Sequence, residues 1–439
     1  MNVLPSAFEL LSSSLDQVAL RKRFGRLTEV RGPLLRACFR GLNQGTICEI
    51  ARSDGSPLLA EVIGIEGADV LLSPFGASDG LAEGAQISIT RQALTIPSGK
   101  GVLGRVLDAF GAPMDGLGPV DGDTVRRRIK ADPPSAMDRP LIEAPLPTGL
   151  RAIDAAMTLG RGQRVGIFGP PGTGKSTLLA AIARHTAADA IVIGLVGERG
   201  REVREFVERD LPPEVRKSVA VIAATSDRPA VERALCAHSA TAVAEGFRDQ
   251  GASVLLMIDS LTRTARALRE IGLAAGEPPT RRGFPASVYP ALPAIIERAG
   301  RTDKGDITAL YTVLLEGEKE IDPIAEEVKS LTDGHFLLSR KLAEAGHYPA
   351  LDVVESLSRS MKAIVSPDHS ARAAHLRASL AKYRDLELLL QIGEYQSGGD
   401  AEADAVVAAK PQIDAFLRQE SDQSSSFDET MTALSRVAL

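Results

Sequence analysis

The run of residues 169–176 constrains the fold of this chain more than any other feature of its sequence. It reads Gly169-Pro170-Pro171-Gly172-Thr173-Gly174-Lys175-Ser176 and fits the pattern GxxxxGK[ST]. An apolar run at 164–168 precedes it and a helical pattern at 177–184 follows it, as the motif requires. Glycines let backbone N–H groups converge on a phosphate, and the helix N-terminus favours negative charge. The motif therefore predicts an α/β fold with a phosphate-binding loop.

The residue types in this loop predict ATP and Mg²⁺ as ligands. We expect Lys175 to reach the β- and γ-phosphates and the Ser176 hydroxyl to ligate magnesium. Asp259 ends the apolar run 254–259, and a carboxylate at the end of a buried strand can hold the magnesium shell through water. The predicted metal ligands are thus Ser176 and Asp259. The predicted nucleotide-binding residues of the loop are Gly169, Pro170, Pro171, Gly172, Thr173, Gly174, Lys175, Ser176 and Thr177.

A second charged run, Gly197-Glu198-Arg199-Gly200-Arg201-Glu202, follows another apolar stretch at 190–196. A carboxylate at that place can polarise the water that attacks the γ-phosphate. The same residues also fit the charged, solvent-facing start of a helix. The sequence of this run alone leaves both interpretations open.

Patterns along the chain predict four segments. An apolar face at helical spacing within 1–24 predicts an N-terminal helix, which either packs on the protein or docks on a membrane. Short β-rich runs cut by turn residues predict a small barrel at 25–96. Near-continuous apolar strands alternating with helical patterns predict a covered parallel sheet at 97–364. Only helical patterns follow, at 365–439.

Composition narrows the classes of function. A net charge of −6, 4% aromatic residues and no Trp argue against a nucleic-acid partner. The three cysteines form no CxxC pair, which predicts a reducing, cytoplasmic compartment. No apolar run approaches the roughly 18 residues of a membrane span, and the N-terminus does not fit a signal peptide.

Taken together, these motifs resemble the hexameric P-loop family related to the catalytic subunit of rotary ATP synthases. The nearer resemblance is to type III secretion ATPases, both flagellar and injectisome, and it covers nearly the whole chain. It implies a RecA-like P-loop core between an N-terminal β-barrel and a helical C-terminal domain. The runs that carry it, besides the P-loop, are 99–108, 197–206, 247–251, 259–263, 276–279, 346–352 and 358–359.

The resemblance implies roles for residues to which the motifs alone assign none. Glu198 becomes the catalytic carboxylate, and Arg199 a nearby phosphate-site partner. Arg359 corresponds to an arginine finger that each subunit supplies to its neighbour's nucleotide, where negative charge spreads in the transition state. With Lys175, these are the predicted catalytic residues.

The resemblance also implies an adenine site and a channel. Tyr348 corresponds to the residue that stacks on adenine. Synthase relatives add a C-terminal aromatic pair, where this chain has Phe427 but Ser421. The loop at 281–289 would face the central channel of the ring.

The implied function is ATP hydrolysis that energises type III protein secretion, through chaperone release and substrate unfolding at the export apparatus. Residues 393–400 favour the injectisome over the flagellar branch. The implied partners are five other copies in a homohexamer, chaperone–substrate complexes, central stalk and stator proteins, and the export gate, with peripheral association at the inner membrane.

Three alternatives are weighed against this function. The C-terminal domain and the N-terminal helix argue against a rotary synthase catalytic subunit. The acidic balance argues against an RNA translocase of the same fold. Glu198 and Arg359 argue against a nucleotide-gated secretion scaffold without turnover.

Overall fold

The computed structural model describes residues 23–31, 34–91, 93–315 and 322–437. They fall into two compact units, Met1–Ala93 and Leu94–Leu439. The predicted N-terminal helix lies, up to residue 22, outside the described residues. The predicted boundaries at 24/25, 96/97 and 364/365 stay predictions. No helix within the described ranges is long and apolar enough to cross a membrane.

The first unit is a closed barrel of six antiparallel strands, in the order β1-β2-β5-β4-β3-β6. Side chains that alternate inward fill it, among them Leu35, Ile50 and Leu72, each fully buried. The all-β interpretation of this segment is confirmed. The strands are β1 Phe24–Arg31, β2 Leu34–Cys38, β3 Ile47–Ala51, β4 Pro57–Glu66, β5 Asp69–Pro74 and β6 Gln86–Arg91.

A nine-stranded sheet forms the centre of the second unit, in the order β17-β16-β10-β15-β13-β11-β12-β8, with β14 beside β15. Only β14 and β17 pair antiparallel. A separate ribbon joins β7 and β9. The strands are β7 Thr95–Ser98, β8 Val106–Leu107, β9 Val125–Arg128, β10 Arg164–Gly169, β11 Ala190–Val196, β12 Val219–Ala224, β13 Ser253–Asp259, β14 Gly300–Arg301, β15 Asp306–Leu314, β16 Gly334–Leu337 and β17 Leu357–Ser358.

Helices cover the sheet on both faces and continue into a C-terminal helical group. Every residue of β11 and β12 is buried, as expected for parallel strands between helical layers. The helices around the sheet are α1 Arg151–Ala156, α2 Lys175–His185, α3 Gly200–Glu205, α4 Pro213–Arg216, α5 Ala230–Arg248, α6 Leu261–Ala274, α7 Val288–Ile296, α8 Pro323–Leu331, α9 Arg340–Glu344 and α10 Met361–Ile364. The C-terminal helices are α11 Pro367–Gln391, α12 Ala401–Leu417 and α13 Phe427–Val437, which pack against α1.

The predicted fold class is therefore confirmed: a β-barrel, a RecA-like α/β core and C-terminal helices. The strand order brings three of the sequence motifs to one edge of the sheet. The P-loop follows β10, Glu198 follows β11 and Asp259 ends β13, all at the carboxyl ends of parallel strands. Ligands of open α/β sheets bind outside that edge.

Candidate active site

The backbone of the P-loop surrounds the side chain of Lys175, the lysine of the same loop. Gly172 and Gly174 adopt φ angles of 81° and 82°, in the left-handed region that favours glycine. Lys175 is only 8% exposed, and its Nζ donates to the carbonyl oxygens of Gly169 at 3.0 Å and Pro170 at 2.6 Å. Burial lowers the pKa of Lys175 to about 8, against the opposing effect of nearby Asp259 and Glu198. The loop thus holds a cation where phosphates are expected.

Asp259 and Ser176 line one cavity of about 160 Å³ beside the P-loop. Asp259 is 6% exposed, and Thr312 Oγ1 donates to its Oδ1 at 2.6 Å, while burial raises the pKa of the carboxyl group. A hydroxyl and a carboxylate are the oxygen donors that Mg²⁺ takes in proteins, with water and phosphate completing the shell. Among the described residues, no group of three or more His, Cys, Asp or Glu side chains could hold a metal ion. The donor set therefore fits a magnesium ion shared with a bound phosphate.

Glu198 lines the same cavity, so the structure brings it to Ser176 and Asp259. Burial raises the pKa of Glu198 to about 7, and the hydrogen bond with Glu202 and the charge of Asp259 act in the same direction. Arg263 opposes them through an ion pair of 2.7 Å with Glu198 Oε2. A carboxylate with this pKa can accept a proton at neutral pH.

Arg263 and Glu202 are site residues that sequence reasoning left without a role, although both lie in the quoted runs. Arg263 Nη1 also donates to the carbonyl oxygen of Gly197 at 2.5 Å, which fixes the chain just before Glu198. The hydrogen bond with Glu198 lowers the pKa of Glu202. The sequence does not show the Arg263–Glu198 pair, because its two residues are far apart in the chain and meet only through the order of the strands.

Arg199, a predicted phosphate-site partner, does not line the cavity that Glu198 shares with Ser176 and Asp259. Its side chain is 80% exposed and pairs with Glu202 at 3.1 Å, so the structure places it on the surface. Its predicted catalytic role stays a prediction.

Arg359 lies at the opposite edge of the sheet from its own P-loop. It follows β17, and its N–H donates to the carbonyl oxygen of Asp333 at 2.9 Å. The N–H of Asp333 donates in turn to the carbonyl oxygen of Arg164, where β10 begins. The P-loop follows the other end of β10, so the two edges are roughly 17 Å apart at about 3.3 Å per residue. The exposed Arg359 side chain is thus placed away from the nucleotide site of its own chain.

Tyr348 lies against the P-loop. A Cβ built on Gly174 would be 3.5 Å from its ring, which is 45% exposed. Tyr348 lines a second cavity, of about 310 Å³, together with loop residues Pro171 to Thr173. The N–H of Gln419 donates to the Tyr348 carbonyl oxygen at 2.9 Å. The C-terminal segment therefore contacts the predicted adenine site through its backbone.

Phe427 and Ser421, which stand where synthase relatives carry an aromatic pair, make other contacts. The Phe427 ring lies edge-on to His369 of α11, with 5.8 Å between ring centroids. The Ser421 carbonyl oxygen accepts from Arg184 at 3.3 Å. In the loop at 281–289, Arg281 and Arg282 are exposed, which neither supports nor opposes its predicted place in a channel.

Comparisons with known proteins give the family. Residues 149–358 match the model of the ATP synthase alpha/beta family nucleotide-binding domain, and 27–91 match that family's beta-barrel domain. Residues 365–436 match the T3SS EscN ATPase C-terminal domain. A "Type 3 secretion system ATPase" of Xanthomonas euvesicatoria is 50% identical over 428 residues, 97% of each chain.

The chain belongs to the type III secretion ATPase family. The family, the fold and the ATP-hydrolysing function predicted from the sequence are confirmed. A "Flagellum-specific ATP synthase" of Bacillus subtilis is also similar, at 42% identity over 94% of each chain.

The solved structures of this secretion ATPase family agree with the fold. The assembled ATPase EscN of enteropathogenic Escherichia coli superposes with a TM-score of 0.90, at 43% identity, over 94% of this chain and 100% of that one. EscN has also been solved in complex with its central stalk EscO, and that chain superposes with a TM-score of 0.87 at 42% identity, with the same coverage.

Proposed function

We propose that this secretion ATPase hydrolyses MgATP at the carboxyl edge of its sheet, with Glu198 as the general base. One observation carries the assignment. Glu198, with a pKa of about 7, lines the same cavity as Ser176 of the P-loop and Asp259. A base of that pKa, next to a phosphate-binding loop, is suited to activating water near neutral pH.

In this mechanism each residue has one task. The backbone N–H groups of the P-loop and the Lys175 ammonium bind the phosphates. Arg263 orients the Glu198 carboxylate, which accepts a proton from the attacking water as the water bonds to the γ-phosphorus and the ADP oxygen leaves. When bound, Mg²⁺, held by Ser176 and Asp259, supplies charge neutralisation on the β- and γ-phosphates.

The site is completed by a neighbour. The length of β10, about 17 Å, separates Arg359 from its own P-loop, and no arginine side chain spans that distance. An exposed arginine at that edge is suited to stabilising the charge of a nucleotide held by an adjacent subunit. The proposed assembly is a homohexamer, supported by the similarity to the assembled EscN.

The proposed setting is the cytoplasmic face of an injectisome, with peripheral contact to the inner-membrane export gate. Higher identity to type 3 secretion ATPases than to flagellum-specific relatives supports the injectisome. The EscN–EscO complex supports a central stalk as partner. Chaperone–substrate complexes and a stator complete the proposed set of partners.

Glu198→Gln tests the proposed base. The amide keeps the shape of the side chain but cannot accept the proton, so we expect ATP binding within a few fold of wild type and turnover reduced at least about 10²-fold. Glu208→Gln is the matched control, because Glu208 is exposed and pairs with Arg204 at the surface, at 2.9 Å. Fluorescent-nucleotide titration and phosphate release measure the two properties. Turnover near the wild-type rate in the Glu198 variant would remove Glu198 from the mechanism.

A further inference from the structure

One short turn lies between Tyr348 and Arg359, and helix α11 holds it. Arg377 of α11 donates from Nη1 to the carbonyl oxygens of Val353 at 2.6 Å and Ser356 at 2.5 Å. Its Nη2 donates to the carbonyl oxygen of Ala156, at the end of α1, at 2.9 Å. We call residues 352–356 the clamped turn. A single guanidinium thus ties this turn to two helices.

Arg384, two helical turns further along α11, holds the other side of the clamped turn. Its Nη2 lies 2.8 Å and 2.7 Å from the two carboxylate oxygens of Asp352, and its Nη1 donates to Glu355 Oε1 at 3.0 Å. Asp352 Oδ1 in turn accepts from the N–H groups of Val354 and Glu355, both at 3.0 Å. The turn is therefore held by charge-assisted hydrogen bonds on both sides.

The clamped turn leads directly into the segment that ends at Arg359. The Leu337 N–H donates to Ser356 Oγ at 2.9 Å, which fastens the turn to β16. Ser358 Oγ donates to the carbonyl oxygen of Thr158 at 2.8 Å, and Gln163 Nε2 donates to Ser358 Oγ at 3.0 Å. The backbone is thus fixed up to Arg359, whose side chain is exposed.

We propose that Arg377 is a positioning residue for Arg359 and acts on the nucleotide site of the neighbouring subunit. The inference rests on the proposed role of Arg359. Without Arg377, the carbonyl oxygens of Val353 and Ser356 lose their shared donor, and the turn that carries Arg359 shifts. A displacement of about 1 Å at a group that stabilises a transition state can cost about 10²-fold in rate.

A positioning role and a purely structural role of Arg377 predict defects in different places. The turn precedes Arg359 but lies after Tyr348, so a shift of the turn harms the site of the next subunit. ATP binding to the chain's own P-loop uses Lys175 and Tyr348, which Arg377 does not contact. The expected signature is a lower kcat with little change in KM for ATP.

Three variants separate these outcomes. Arg377→Ala removes all the contacts, and Arg377→Lys keeps the charge without the planar fork. Arg372→Ala is the matched control on the same helix, because Arg372 pairs with Asp368 and the Ser435 carbonyl oxygen. We expect kcat to fall about 10²-fold for Arg377→Ala and about tenfold for Arg377→Lys, with KM within twofold of wild type. An unchanged kcat for Arg377→Ala, or an equal loss for Arg372→Ala, overturns the proposal.

Mixed oligomers decide whether Arg377 acts on the neighbour. Mixing Arg377→Ala with Lys175→Ala should restore activity, because an intact P-loop then meets a correctly placed Arg359 of the other variant. Mixing Arg377→Ala with Arg359→Ala should restore none, since both variants supply a defective finger. Restoration in the second mixture and not in the first would place the action of Arg377 in its own site and overturn the proposal. Two different affinity tags confirm that mixed oligomers form.

A reference mixture keeps this test separate from the proposed function. Arg359→Ala mixed with Lys175→Ala probes the finger alone. If that mixture regains activity while Arg377→Ala mixed with Lys175→Ala does not, Arg359 acts across subunits and only the role of Arg377 is wrong. If it regains none in confirmed mixed oligomers, the shared site itself is wrong.

Discussion

At the scale of single residues, the pKa values of Glu198 and Lys175 are shifted towards each other. Burial raises the pKa of Glu198 to about 7 and lowers that of Lys175 to about 8. The two shifts have opposite signs because burial disfavours the charged form of both groups. Only between those values are the carboxylate and the ammonium both charged to a large extent.

The pH profile of kcat/KM should therefore be bell-shaped. It should rise through about pH 7, as Glu198 loses the proton that blocks its role as base. It should fall above about pH 8, as Lys175 loses the proton that makes it a cation. Since kcat/KM reports the free enzyme, the pKa values of the nucleotide-free site apply. Steady-state rates over the range of about pH 5.5 to 9.5 measure the profile.

Lys175→Arg is the control for the falling limb. Arginine stays protonated throughout this range, so the residual activity of the variant should keep the rise near pH 7 and lose the fall. A falling limb that persists unchanged in this variant would exclude Lys175 as its source.

The site residues that could be predicted from the sequence alone are those that lie in contiguous motifs. The P-loop and Asp259 lie at the same edge of the sheet, after β10 and at the end of β13, with β15 between the two strands. The carboxyl ends of parallel strands share one edge, so apolar runs that end in these motifs are enough to bring them together. The sequence alone assigned no role to Arg263 or Gln419. Their contacts, with Glu198 and with the Tyr348 backbone, join segments far apart in the chain. No local pattern encodes such contacts.

At the scale of elements, long strands were predictable and short ones were not. β11 and β13 have seven residues each, and the apolar run in each strand shows directly in the sequence. β14 and β17 have two residues each, too few to show any periodicity. They form by pairing with longer strands, β14 with the start of β15 and β17 with β16.

The start of helix α13 carries a sequence signal. The polar run Ser424-Ser425-Ser426 comes directly before it. In the structure Ser426 and Glu429 form a capping box: the Glu429 N–H donates to Ser426 Oγ at 3.2 Å, and the Ser426 N–H donates to Glu429 Oε2 at 2.8 Å. The S-x-x-E spacing was available in the sequence.

A buried ion pair joins α5 to the chain that follows α7. Arg298 is fully buried, and its Nη2 lies 2.7 Å from Oε2 of Glu245, whose side chain is 4% exposed. Arg298 Nη1 also donates to the Ile129 carbonyl oxygen at 2.8 Å. Breaking such a pair leaves an uncompensated buried charge, whereas replacing both partners by apolar residues can be neutral.

Glu245→Ala should therefore destabilise the protein by about 3–5 kcal/mol. Thermal and urea unfolding of the full chain measure the loss. Glu270→Ala is the matched control, because Glu270 pairs with Arg233 at the surface and should change stability by less than about 1 kcal/mol. The double variant Glu245→Leu with Arg298→Met should recover much of the loss. Equal destabilisation by the Glu245 and Glu270 single variants would contradict this account.

At the scale of the whole molecule, the sheet separates the P-loop from Arg359, the proposed finger. The P-loop lies at the carboxyl edge and Arg359 at the amino edge. Arg359→Ala should leave ATP binding nearly intact and reduce turnover about 10³-fold, the lower end of what such fingers supply. Lys362→Ala removes a nearby exposed cation and serves as control. Wild-type turnover in the Arg359 variant would exclude the finger.

The same division predicts that specific activity depends on protein concentration. In the proposed assembly a single subunit lacks the finger for its own P-loop, and dilution lowers the population of oligomers by mass action. Phosphate release per subunit should rise with concentration and level off where sedimentation shows complete assembly. Activity per subunit that stays constant while the oligomer dissociates would show that one chain suffices.

The segment from Tyr348 to Arg359 touches two different nucleotides in the proposed ring. At one end it meets the nucleotide of its own subunit, and at the other that of one neighbour but not of the other. Subunits of a ring all face the same way. Each nucleotide therefore meets the Tyr348 end of one segment and the Arg359 end of another, so the proposed ring has a clockwise side and an anticlockwise side that differ. The length and attachment of a single connecting segment set that difference.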